Sequence, residues 1–226
     1  TGRAQGLSDD ARRQIVDKGL QMILYGKALQ ELEAAKTRVQ QGNTDNATGA
    51  PHAVDEAWAA IAGAPDPNGA RAYGLLATAS GREGNFGLTG QLRDPLEAAF
   101  VAMLTAAQNG DTAAFDSAYT EVKGYLNAIF YLGTLRYAKV LEGDTTEAQR
   151  QTHLAEGWTF FQTIRAAVAG ASPSAAQTVE SAYTRSPSQP FPASATEQVY
   201  AALNEPAVIQ ALGIPASLVV RTPPSP

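Results

Sequence analysis

The chain has 226 residues, of which 44% are hydrophobic, so it is long enough to bury a core. Its formal net charge is −5, and Lys and Arg are scattered among acids, which argues against nucleic acid as a partner. The absence of cysteine excludes disulfides, iron–sulfur clusters and thiol nucleophiles. No apolar run reaches the ~18–20 residues that a transmembrane helix needs.

Helical periodicity dominates the chain, and strand signals are nearly absent. The first helix is predicted to begin at Ser8 and to end at about Gln41, and its apolar residues recur every few positions. These residues are Val16, Leu20, Ile23, Ala28, Leu32, Ala35 and Val39. A shorter helix is predicted from Pro51 to near Gly63.

The remaining segments are also predicted to be helical, with one Gly-rich interruption. A short helix over 70–79 is followed by an irregular loop over 80–91, which holds Arg82, Glu83 and Asn85. Further helices are predicted over 94–108, 111–143, 145–170, 175–183, 196–203 and 206–212.

Three segments recur in the same order along the chain. Tyr25-Gly-Lys-Ala-Leu29 resembles Tyr137-Ala-Lys-Val-Leu141, and His52-x-x-x-Glu56-x-Trp58 resembles His153-x-x-Glu156-x-Trp158. An Ala-rich segment ending in Pro then closes each copy. The pattern predicts an all-α helical bundle of two tandem diverged repeats, 8–109 and 111–213, related by a pseudo-two-fold axis. Residues 214–226 are expected to form a Pro-rich tail.

Each repeat places a histidine and a glutamate on one face of a helix. Glu56 follows His52 by four positions and Glu156 follows His153 by three. Helical bundles build metal sites from such side chains, and imidazole with carboxylate suits iron, zinc or manganese. We predict a metal site between the repeats, with these four residues as ligands. The set is completed by Tyr25 and Tyr137, as further ligands or as hydrogen-bond partners of the ligands.

Two other functions remain open on these residues. A His–Glu pair at helical spacing also forms plain surface ion pairs, in which case the chain is a helical interaction module without metal. Alternatively, the chain is a metal-dependent hydrolase or peptidase of the His-x-x-Glu type. Such an enzyme needs an open coordination position on the metal and a general base. Because Gly-x-Ser-x-Gly and His-Glu-x-x-His motifs are both absent, the sequence favours a binding protein without catalytic turnover.

Four stretches carry a family resemblance over about residues 15–213. They are His52-Ala-Val-Asp-Glu-Ala-Trp58, Arg82-Glu-Gly-Asn-Phe-Gly87, Tyr125-Leu-Asn-Ala-Ile-Phe130 and His153-Leu-Ala-Glu-Gly-Trp158. With these the chain resembles the algal iron-assimilation periplasmic proteins, also described as low-iron-inducible. The resemblance implies a periplasmic or extracellular protein that captures or takes up iron. We therefore expect iron, or else zinc or another divalent metal, with a small anion such as carbonate and a membrane transporter as further partners.

The chain is also similar to imelysin-like proteins, which are helical, exported and linked to bacterial iron uptake. That family carries a Gly-x-His-x-x-Glu motif, and His153-Leu-Ala-Glu156 matches its second part. Gln151 stands where the family has glycine.

Overall fold

The structure, a computed structural model, describes residues 6–65, 67–68 and 74–223. In this part of the chain every regular element is helical, which confirms the all-α class. In chain order the helices are α1 (Asp9–Gln40), α2 (Ala50–Ala62), α3 (Gly74–Phe86), α4 (Arg93–Asn109), α5 (Thr112–Glu142), α6 (Glu147–Ala171), α7 (Pro173–Tyr183), α8 (Ala193–Leu203) and α9 (Pro206–Leu212). A short 3-10 helix over Ala216–Leu218 follows.

Side chains just before the helices explain where the helices begin. Ser8 Oγ accepts a hydrogen bond from Ala11 N–H at 3.2 Å and so caps α1. Asp111 does the same for α5, where its carboxylate accepts from Ala114 N–H at 2.9 Å. These contacts satisfy amides that have no partner within the helix, and they confirm the starts predicted for these two helices.

Two compact units divide the chain. Unit 1 contains Thr1–Met22 and Phe130–Pro226, and unit 2 contains Ile23–Ile129. The long helices α1 and α5 therefore contribute residues to both units. The tandem repeats over 8–109 and 111–213 stay a prediction.

Unit 1 is built around α6, which packs against α7 and α9, while α7 also packs against α8. Phe130 and Phe160 lie in its core with ring centroids 6.0 Å apart. Two buried hydroxyls find backbone acceptors: Tyr183 donates to Thr134 O, and Thr196 Oγ1 donates to Ala138 O at 2.9 Å. These two hydroxyls therefore keep a hydrogen-bond partner when they are buried.

The residues after α9 also pack onto unit 1. Leu218 is fully buried, and Val220 N–H donates to Tyr131 Oη at 3.2 Å. The described residues at the start of the predicted tail are therefore packed against the rest of unit 1.

Unit 2 contains α2 packed against α3 and α4. Trp58 on α2 meets Phe100 on α4 with ring centroids 5.1 Å apart. Lys36 on α1 pairs with Asp116 on α5 at 3.0 Å. None of the helices in the described ranges combines the length and the hydropathy that crossing a bilayer requires.

The prediction of an irregular loop over 80–91 is wrong in its first part, since α3 continues to Phe86. Gly81 and Gly84 lie inside α3 and neither has a positive φ, so neither glycine breaks the helix. Glycine costs a helix only about 1 kcal/mol, which tertiary contacts override. One such contact comes from buried Glu83, which accepts from Leu92 N–H at 2.7 Å at the start of α4. Residues 70–73 of the predicted helix lie outside the described part of the chain.

The apolar face predicted for α1 is buried only in its second half. Leu32 and its neighbours one turn away are inaccessible, whereas Val16, Leu20 and Ile23 are 61%, 55% and 62% exposed. Periodicity identifies which residues share a helical face but does not say whether another element covers it.

Candidate functional site

Glu156 is the centre of a polar cluster in unit 1. It lies on α6 and is only 5% exposed. Tyr137 Oη, on α5, donates a hydrogen bond to Glu156 Oε1 at 2.7 Å. Lys18 Nζ, on α1, lies 3.6 Å from the same oxygen. A carboxylate this deeply buried needs such partners, because burying an unpaired charge is costly.

His153 lies beside this cluster but pairs with a different carboxylate. Its Nδ1 is 2.8 Å from Asp144 Oδ2 and 2.9 Å from Asp144 Oδ1. The His153 ring also lies against Tyr137, with ring centroids 5.9 Å apart. The phenol of Tyr137 therefore contacts both Glu156 and His153, so the structure brings these three predicted site residues together.

The turn before α6 positions Asp144. Thr146 and Gln149 form a reciprocal capping box that begins the helix. Buried Arg150 donates to Asp144 O at 3.0 Å and to Pro187 O at 2.6 Å, which anchors the turn. The backbone that carries the Asp144 carboxylate is thus fixed on both sides, and this carboxylate holds the imidazole of His153.

The predicted residues of unit 2 are more exposed. His52 Nε2, in the first turn of α2, lies 3.6 Å from Glu56 Oε1, and the two side chains are 42% and 45% exposed. Nearby on α1, the Lys27 ammonium beside Glu31 holds the pKa of that carboxyl below its usual range. The His–Glu spacing therefore works as predicted on α2, and the pair faces solvent.

Tyr25, the third predicted site residue of unit 2, is hydrogen-bonded to α5. Its hydroxyl donates to Asn127 Oδ1 on α5 at 2.7 Å. Burial raises the pKa of Tyr25 to about 12, because a buried phenolate loses its hydration. At neutral pH this phenol is therefore protonated.

Three functional neighbours were missed from the sequence. Asp144 precedes His153 by nine positions and lies outside its helix, so helical spacing does not point to it. Lys18 lies among the apolar residues of α1, and that pattern gives no sign of its contact with Glu156. Asn127 had a signal, since it belongs to the Tyr125–Phe130 stretch that carries the family resemblance.

The fold and the site define an all-helical protein in which imidazole, carboxylate and phenol groups meet within unit 1. Residues 15–156 match the Fea1 family, described as low iron-inducible periplasmic protein. Because the match covers more than half of the chain, the protein belongs to this family. No curated protein and no solved structure matches the chain.

Membership of this family confirms the resemblance seen in the sequence and the periplasmic location it implied. The matched segment contains all six predicted site residues, and Glu156 is its last residue. The match is shorter than the 15–213 range expected from the sequence. The family description connects the protein with the response to low iron.

Proposed function

We propose that the protein binds iron outside the cytoplasm as its cargo, with Tyr137, His153 and Glu156 of unit 1 as the principal ligands. The observation that carries the proposal is the contact between His153 Nδ1 and the Asp144 carboxylate at 2.8 Å. Metal-binding histidines commonly donate one ring N–H to a carboxylate, which orients the ring and leaves the other nitrogen for the metal. His153 Nε2 is the ligand atom in this proposal.

The donor types of unit 1 suit iron. Glu156 and Tyr137 supply oxygen atoms and His153 supplies an imidazole nitrogen, a set that binds iron well. Among the residues that the structure describes, no group of three or more His, Asp and Glu side chains is placed to hold a metal ion. The proposal therefore includes the Tyr137 oxygen as the third donor.

The His52–Glu56 pair and Tyr25, which belong to unit 2, are weaker candidate ligands. Both members of the pair are more than 40% exposed, so water competes for them. The pKa of Tyr25, raised to about 12, opposes loss of its proton to iron. We expect these residues to contribute less to affinity than those of unit 1.

The contact between Lys18 and Glu156 opposes metal binding. Its ammonium lies 3.6 Å from Glu156 and is 15% exposed. A cation that binds Glu156 must displace this ammonium or share the carboxylate with it, because like charges repel at short range. Removing the charge of Lys18 is therefore expected to strengthen iron binding.

The proposal extends to a small anion and to a delivery partner. Iron with octahedral coordination has about six positions, and unit 1 offers three donors. An anion such as carbonate would fill remaining positions, and a membrane transporter would receive the iron. Both are tested by measuring binding with and without bicarbonate and by transport assays in cells.

The direct test is a titration of the purified protein with ferric nitrilotriacetate. We expect saturable binding and a visible charge-transfer band from phenolate bound to iron, which Tyr137→Phe should remove. His153→Ala and Asp144→Asn should each weaken binding about 10–100-fold. Lys18→Gln should bind iron more tightly than the wild type.

Asp55→Asn is a matched control for Asp144→Asn, because it removes the same charge from an exposed position on α2. It should leave iron affinity unchanged. Full iron affinity in a His52→Ala, His153→Ala double variant would refute the proposal. Zinc and manganese titrated in parallel show whether iron is preferred.

A further inference from the structure

A cavity of about 340 Å³ opens on unit 1. Its walls come from the start of the chain, from α6 and from the end of α7. Leu7, Ile15 and Leu154 give it apolar walls, and the indole of Trp158 lies among them. Its volume falls within the range of about 300–1,000 Å³ that small-molecule sites occupy.

The polar groups at this cavity are few, and one of them is cationic. Arg185, which follows α7, is exposed at the cavity and makes no hydrogen bond or ion pair with any residue that the structure describes. Two other arginines of unit 1 are engaged: Arg165 pairs with Glu180 at 3.2 Å, and Arg150 donates to two backbone carbonyls. The Arg185 guanidinium is thus available for a ligand.

We propose that this cavity binds a small aromatic carboxylate. An aromatic ring would lie against the Trp158 indole and the apolar walls, where it gains both burial and ring–ring contact. The carboxylate would accept paired hydrogen bonds from the planar guanidinium of Arg185. Gln151, also in the wall, accepts from Ser8 N–H with its Oε1 at 2.8 Å, which leaves its NH2 group to donate to the ligand.

A second hollow in unit 2 supplies the contrast that this assignment needs. It has a volume of about 220 Å³ and contains the other tryptophan of the chain, Trp58, with Phe100. Its wall carries Asp55 and Glu97 in place of an arginine. A carboxylate ligand is repelled there by like charge, so the two tryptophans should respond differently to the same ligand.

The test uses metal-free protein labelled with 5-fluorotryptophan, which gives two fluorine NMR signals because the chain has two tryptophans. Trp58→Phe assigns them. We expect 2-naphthoate to shift the Trp158 signal saturably and to leave the Trp58 signal in place. Arg185→Gln should weaken 2-naphthoate binding about tenfold, as expected for a charge-assisted hydrogen bond near the surface.

Two comparisons separate the role of the guanidinium from general hydrophobic binding. Neutral 2-naphthamide has nearly the same shape and should bind the wild type and Arg185→Gln equally. Lys123→Gln removes one positive charge from an exposed position of unit 2 and should bind 2-naphthoate as the wild type does. The inference is overturned if 2-naphthoate leaves the Trp158 signal unmoved, or if Arg185→Gln binds it with unchanged affinity. Because no metal is present, this result is independent of iron binding.

Discussion

Units 1 and 2 carry the same types of side chain at similar spacing, yet place them in different surroundings. In unit 1 the side chain of Glu156, the glutamate of the pair, is 7% exposed and accepts a hydrogen bond from Tyr137. In unit 2 the Glu56 side chain is 45% exposed and faces His52 at 3.6 Å. The comparison shows that helical spacing brings His and Glu to one face, whereas packing decides whether that face is buried.

The histidines differ in the same way. His153 Nδ1 lies 2.8 Å from the carboxylate of Asp144, which belongs to the anchored turn before α6. His52 has a neighbour one helical turn away, in an exposed pair of the kind that contributes about 0–1 kcal/mol. An oriented imidazole loses less freedom when it binds a ligand, so the two histidines are unequal despite matching motifs.

The largest expected difference between the units comes from a glycine. A Cβ at Gly157 would lie 2.0 Å from a ring atom of Tyr183, and Tyr183 is buried and bonded to Thr134 O. Gly157→Ala should therefore lower the free energy of unfolding by about 3 kcal/mol in denaturant titrations.

Gly84→Ala in α3 of unit 2 is the matched control, because a Cβ there meets nothing within 4 Å. It should stabilise the protein by about 0.5–1 kcal/mol. Equal effects of the two substitutions would contradict the tight packing of α6 on α7.

The glutamates should differ next. Glu156→Ala removes a buried carboxylate that accepts from Tyr137 and faces Lys18, so metal-free protein should lose about 2 kcal/mol of stability. Glu56→Ala removes an exposed partner of His52 and should change stability by less than about 0.5 kcal/mol. Chemical denaturation of both variants measures the difference, and similar losses would show that burial does not separate the two pairs.

The smallest expected difference between the units concerns their buried tyrosines, which should behave alike. Burial raises the pKa of Tyr25 in unit 2 and of Tyr131 in unit 1, each to about 12. A raised folded-state pKa means that each tyrosine stabilises the fold fully below about pH 10, and that this contribution is lost as pH rises towards 12.

Tyr25→Phe and Tyr131→Phe should therefore each flatten the fall in stability between about pH 10 and pH 12. Unfolding free energies measured across this range test the expectation. A wild-type slope in either variant would show that the phenol concerned titrates normally.

The sequence predicted the helices well wherever capping residues mark their starts. The capping residues Ser8 and Asp111 correctly predicted the starts of α1 and α5, and Pro51 correctly predicted the first turn of α2. It failed over 80–86, because glycine propensity is a weak local signal and Glu83 supplies a tertiary contact that no pattern announces. It also failed at Val16, Leu20 and Ile23, since periodicity carries no information about what covers a face.

Candidate ligands were found through spacing within one helix, and their partners were not. The three groups that hold them, Asp144, Lys18 and Asn127, come from other elements of the fold. Contacts of this kind depend on how helices pack, which one sequence read by local periodicity cannot supply. The sequence prediction of one site between the two repeats stays a prediction.

The division of α1 and α5 between the units has a consequence for the order of assembly. Unit 2 is one continuous stretch, Ile23–Ile129, so all of its residues are present once that stretch has left the ribosome or crossed the membrane. Lys18 and Ser8, by contrast, contact Glu156 and Gln151, which emerge much later because they lie near the other end of the chain. Because chains emerge N-terminus first, we expect unit 2 to form early and the residues before it to stay open until the last third arrives.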